Sequence, residues 1–560
     1  MKKVHALLIL MFLGCQIGGY AQETLVVEPG VGTLNAAIAA NLGSKIYILK
    51  AGEWYQLDAV IENNGYHLQI IGEEPAEGGK PATLQTNDDQ GGAPFFSMFN
   101  TKGDLTLKNI YFVNCDLSKQ IAQHFIESNT DSSRLILDHC VMHPVSVANP
   151  IELQGIGSKT YFTNNLAVSM GQQLNPNDAN FFGANNPIDT LWVENNTFVC
   201  MGTGMLVAGF GNYVHNVVCF NHNTIALQKS QIDWCTRKME QYWMNNLMFD
   251  MNTQPWAKTW MPMPGADKGN PLPDLIYADT LADETLPSTR VACVSYNLHY
   301  RAQGFYDNIT NLNAIADTGG KAGVFLMPLI WPRDSLNSRE AQMFNSEGFP
   351  LFKYTNNTKD VDPQWTDQEI YKHEDSLIAW TYPASIIHTL GYPADILPDP
   401  TTWPQWHWYP SGDPSNNSVW PIFDGTYTNE DILKGSIESL PLGDLNWYPE
   451  SKVIWEANKD SVMRHVKRGQ TEQLDFSTPT GNKPVASKMN VFLYPNPASD
   501  VLNITGEGVY SITVKSLDGR TLKSAANGNS IDISDLTDGL YLVTLKQGNN
   551  MTTRKVVIKR

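Results

Sequence analysis

The sequence predicts an all-β protein: a right-handed parallel β-helix, then an aromatic-rich capping region, then a small C-terminal β-sandwich. Three observations carry that expectation. Gly 42 and Pro 32 with only 17% charged residues describe a turn-rich globular chain. Short apolar runs ending in an Asn or another polar pair recur through the middle. Residues 491–560 alternate β-forming runs with Asp-Gly turns.

A chain of 560 residues has room for three or four domains of roughly 100–200 residues. Its 42% hydrophobic content excludes a largely disordered polymer. Lys+Arg 39 against Asp+Glu 57 gives a net charge of -18. That balance excludes a nucleic-acid-binding surface, which needs cations for phosphates, and docking on anionic lipid. A locally basic cleft would still admit an acidic polymer.

Lys2 and Lys3 precede the apolar run Ala6 to Leu13, and Gly19, Tyr20 and Ala21 supply a cleavage site. Residues 1–21 therefore read as a signal peptide cut before Gln22. A competing reading takes Phe12 to Cys15 as a lipoprotein box with Cys15 lipidated. The leader is too short to span a bilayer, and no later run is long and apolar enough to do so. The expected mature product is a monomer exported through the periplasm to the outer surface or beyond. Its six cysteines are Cys115, Cys140, Cys200, Cys219, Cys235 and Cys293. An even count permits three disulfides. Their places inside the apolar repeats favour buried, stacked thiols, and no spacing suits zinc.

The repeat anchors are Asn109, His139, Asn165, Asn196, Asn223 and Asn246, at steps of 30, 26, 31, 27 and 23. A last step of 51 to Asn297 reads as two turns with one anchor unrecognised. Such periods mean stacked supersecondary units. A unit of strand, Asn turn and strand, with no helix, forms one coil of a parallel β-helix. Asn suits the turn because it tolerates left-handed backbone angles, and its amide can donate and accept along a ladder. Upstream, a Gly turn at Gly30 to Gly32 leads into an Ala-rich helix from Thr33 to Ala40, then strands at Lys45 and His67. A helix there closes the open first coil, whose edge would otherwise invite aggregation.

Residues 24 to 325 thus resemble the pectin-lyase-like superfamily, which includes pectate lyases and pectin methylesterases, and the β-helix is expected over 22–325. In the lyases of that superfamily calcium held by Asp or Glu neutralises a uronate carboxylate, and Arg or Lys abstracts the neighbouring proton. Arg134 to Cys140 resembles the apolar-Ile-Asp-His strand of one pectate lyase family, which implies Asp138 as a calcium ligand. The Arg-x-Pro-x-x-Arg segment of that family is absent. Lys229 and Arg237, beside Lys238 and Asp233, are the basic candidates for contact with a uronate. The longest interruptions of the repeat, Gly171 to Pro187 and Asn252 to Arg290, mark loops that would wall a groove. Trp256 and Trp260 in the second are candidate sugar-stacking residues.

Residues 326–468 form a loop- and aromatic-rich extension. Trp403, Trp406, Trp408, Tyr409, Trp420, Trp447 and Tyr448 would pack on the β-helix or present rings to a glycan. Ser451 to Val466 reads as an amphipathic helix capping the far end. After a linker over 469–490 comes the tail, with Tyr494-Pro495-Asn496-Pro497, Gly539-Leu540-Tyr541 and a closing Lys559-Arg560. Its eight Lys/Arg outnumber six Asp/Glu. The order of motifs over 491–560 resembles the C-terminal sorting domain of type IX secretion cargo, which implies contact with that secretion machinery. Two functions remain open. One is a lyase on an acidic, uronate-bearing polysaccharide. The other is a non-catalytic surface protein that binds glycan or adheres.

Overall fold

The structure is a computed structural model that describes residues 22–476 and 492–559, apart from short internal stretches and the longer segments 258–288 and 328–343. The expected signal peptide and most of the expected linker lie outside the described residues. The chain divides into two compact units, 1–475 and 476–560.

The first unit is a stack of parallel coils. Each full coil contributes a strand to sheet A, turns sharply into sheet B, then crosses through sheet C back to sheet A. Sheets A and B have eleven strands each and sheet C seven. Every described pairing within the three sheets is parallel, from Glu23–Val27 beside Lys45–Leu49 to Val291–Ser295 beside Phe352–Thr355. Leu107, Leu137, Phe162, Val193, Phe220 and Trp243 stack inward in register on sheet A. They join Phe112, Phe198 and Met248 of sheet B in one core. Helix α1, Thr33–Asn41, closes this core at the N-terminal end with Leu34 and Ile38.

The polar pair at the turn from sheet A to sheet B divides two jobs between neighbours. The first residue takes the left-handed backbone: Asn109, His139, Asn164, Asn195, His222, Asn245, Tyr296 and Asn356 have φ of 53–60°. The second builds a ladder. Asn165, Asn196, Asn223, Asn246 and Asn297 each pass an Nδ2–H to the next Oδ1 at 2.9–3.1 Å, and the ladder ends on Asn357. The same amides also donate to carbonyls one coil back, Leu137 O and Phe162 O for example. Both ends of each ladder amide are thereby paired.

Two expectations change here. The step of 51 residues holds no hidden coil, because Leu247–Phe249 pairs directly with Leu298–Tyr300. The extra length is an insertion leaving one coil. The stack also continues past residue 325, through Phe352–Thr355 and Thr358–Lys359. Helix α2, Gln303–Thr318, lies inside that next insertion.

The extension packs on the outer face of sheet B. Val113, Val168, Val199, Ala226 and Phe249 of that face form one buried cluster with Trp365, Trp380, Trp403, Trp406 and Trp408. Its helix α3 spans Glu369–His388. Trp408 N–H donates to Ser169 Oγ at 2.8 Å, and one coil later the Cys200 thiol donates to Trp406 O at 3.1 Å. Helix α4, Pro449–Lys467, begins on Pro and ends in Arg464, His465 and Lys467, which suits its dipole. It lies along the side of the stack rather than over its end. Trp455 donates to Glu194 at 3.2 Å, and Lys467 pairs with Glu240.

The strands of the second unit pair antiparallel, and one isolated parallel bridge joins Ala498 to Ile558. One sheet joins Phe492–Tyr494, Val501–Thr505 and Ser530–Asp532; the other joins Tyr510–Lys515, Thr521–Gly528, Gly539–Gln547 and Asn550–Ile558. Leu502, Ile512, Val543, Leu545 and Val556 fill its core.

Candidate functional site

Asp138 ends the sheet A strand Arg134–Asp138. Its carboxylate accepts from Asn164 Nδ2 at 2.7 Å, Thr163 Oγ1 at 2.8 Å, His139 Nδ1 at 3.1 Å and Lys108 Nζ at 3.2 Å. Burial alone would raise this carboxyl, but His139, Asn164 and Lys108 together hold it well below the usual carboxylate range. Four donors already surround it, so it does not fit a calcium ligand. Among the described residues, no three His, Cys, Asp or Glu side chains gather as metal ligands.

Lys229 follows the sheet B strand Thr224–Gln228 and is fully buried, its ammonium 5.6 Å from the Trp380 ring centroid. Arg237 immediately precedes the sheet A strand Lys238–Met244. Asp138, Lys229 and Arg237 therefore occupy three different corners of the coil: A to B, B to C and C to A. The structure does not bring them together. Trp256 lies in a short strand, Trp256–Ala257, paired antiparallel with Leu326–Met327. Trp260 lies outside the described residues.

Sheet B is covered by the extension, which leaves the outer face of sheet A. Strand alternation puts two residues of every coil outward there. One row runs Thr106, Ile136, Tyr161, Trp192, Cys219, Tyr242, Cys293 in strict register. Its later members are buried on the coils that α4 flanks. Ile136, Tyr161 and Trp192 are only half-buried. On one side the next row holds Arg134 and Lys159, with Lys159 ion-paired to Asp189 at 3.6 Å. On the other lie Lys108 and Asp138. Trp192 is fixed by its indole N–H, which donates to Glu194 at 3.1 Å.

This row escaped the sequence reading, although its signal was present. Each member stands three residues before the left-handed turn residue: Ile136 before His139, Tyr161 before Asn164, Trp192 before Asn195. A strand of period two that ends at a fixed turn makes that position outward in every coil.

Cys140, Cys200, Cys219 and Cys293 are buried free thiols, and Cys115 is buried as well. Burial pushes Cys140 and Cys293 up to about 12. Cys235 lies outside the described residues.

Residues 492–559 match the family model of the secretion system C-terminal sorting domain. No curated protein matches the chain. The chain is thus a type IX secretion cargo, exported to the cell surface or the extracellular space, and its tail engages the secretion machinery.

Proposed function

We propose that the coil stack binds an acidic polysaccharide along the open part of sheet A, without cleaving it. The observation that supports this reading is the row Ile136, Tyr161 and Trp192, half-buried and flanked by Arg134, Lys159 and Lys108. Aromatic and aliphatic side chains at one coil spacing, about 4.8 Å, offer apolar contact to the C–H faces of successive sugars. The flanking cations suit carboxylate or sulfate groups on a chain whose own net charge is -18. Lyase chemistry needs a base beside a carboxylate-neutralising group. The candidates for those roles stand at separate corners, which favours binding over catalysis.

The test incubates the mature protein with uronate polymers and neutral glycans. Retention on the acidic polymers without new unsaturated ends supports binding. Unsaturated ends would overturn it in favour of a lyase.

A further inference from the structure

The seam between sheet B and the extension contains four buried ring nitrogens, of Trp380, Trp406, His407 and His143, that make no hydrogen bond. From Lys229 the rings follow in sequence. Trp380 lies 5.9 Å from Trp406, Trp406 4.6 Å from His407, His407 5.7 Å from Tyr409, and Tyr409 5.3 Å from His143, all between centroids. Trp380 and Trp406 are 0% exposed, His143 3% and His407 6%. Yet the indole N–H of both tryptophans and Nε2 of both histidines make no hydrogen bond. Buried polar atoms in native proteins are almost always paired, so four in one seam ask for an explanation.

Their chemistry agrees on one. Burial raises the Tyr409 phenol, so it keeps its proton and donates to His407 Nδ1 at 3.0 Å, leaving Nε2–H as a donor. Burial first, then Lys229, His143 and His373, hold His407 down at about 3, and burial holds His143 at about 4. The groups bearing on His407 are a lysine and two imidazoles, and Tyr409 faces the thiols of Cys115 and Cys200. The cluster is rich in donors. Tyr409, alone among these rings, is partly exposed and gives the way in.

We propose that Lys229, Trp380, Trp406, His407 and His143 form an anion-binding subsite, separate from the sheet A row, for the carboxylate or sulfate group of a sugar. An anion among these donors would draw both imidazoles toward protonation, so binding strengthens as the pH falls from neutral toward about 5.

The test titrates the full mature chain with sodium glucuronate, sodium sulfate and glucose, by calorimetry and by the imidazole NMR signals. Glucuronate alone marks a sugar acid, sulfate alone a sulfate ester, and both a general oxyanion site; each supports the proposal, with glucose silent. The H143Q/H407Q variant, shown folded by circular dichroism, should bind about tenfold more weakly. Silence toward both anions at every pH would overturn the proposal. So would unshifted imidazole signals, or undiminished binding by the double variant.

Discussion

Asp250 and Glu374 set two carboxyls against each other across the junction between a coil turn and helix α3. Asp250 is fully buried, and its Oδ1 accepts Ala302 N–H at 2.8 Å. Burial pushes both carboxyls up; for Glu374 the contact with Asp250 adds to it, while Arg301 opposes the rise at Asp250. Tyr300 and Tyr371 also face the pair, with Asp362 and Asp375 beyond. We predict that the two carboxyls hold one shared proton above the ordinary carboxylate range.

That pair makes stability depend on pH. A carboxyl raised by folding stabilises below its unfolded value, and the gain is lost as the pH rises through the folded value. The melting temperature should therefore fall as the pH rises above the ordinary carboxylate range. In Glu374→Gln an amide donates to Asp250 with no titrating proton, and the slope should flatten. Calorimetry across pH checks this; an unchanged slope in the variant would contradict the shared proton.

The two members of the turn pair should respond differently to substitution. Asn223→Ala removes a ladder rung and leaves buried partners on both sides unsatisfied, costing about 3 kcal/mol. Asn109→Gly keeps the left-handed turn and should cost less than about 1 kcal/mol. Urea denaturation of both variants measures the difference.

Cys140, Cys200, Cys219 and Cys293 should resist a thiol reagent in the native protein, because burial disfavours the thiolate. In denaturant at least these four should react. Fewer would mean disulfides among them.

The tail forms its own core, so removing residues 492–559 should leave the first unit folded while ending surface delivery. Fractionation of the producing cells should find the truncated protein in the periplasm. Normal surface display of it would contradict the role of the tail.

Much of this architecture was legible in the sequence because coil periodicity and turn chemistry are local. The repeat anchors, Asn at every place but His139, mark the A-to-B turns from Asn109 to Asn297, and the helix after Gly32 appears where the edge must be closed. The anchors also mixed two rows: Asn109 and His139 bend the backbone, whereas Asn165 and Asn196 carry the ladder. Insertions were misread because spacing alone cannot tell a missing coil from a long loop; only the pairing of Leu247 with Leu298 decides. The aromatic cluster at Trp403 to Trp408 signalled burial but not against which face. The site was least legible. Asp138, Lys229 and Arg237 are complementary in charge but stand at different corners, a property of three dimensions.

The central claim is that Tyr161 and Trp192 form the glycan platform. The most direct test measures retention of the Tyr161→Ala/Trp192→Ala variant on an immobilised uronate polymer, beside a Val453→Ala control at an exposed position on α4. We predict that the double variant loses most of its retention, at least about tenfold, with its melting temperature little changed, while the control binds as before. Equal retention of all three proteins would contradict the platform.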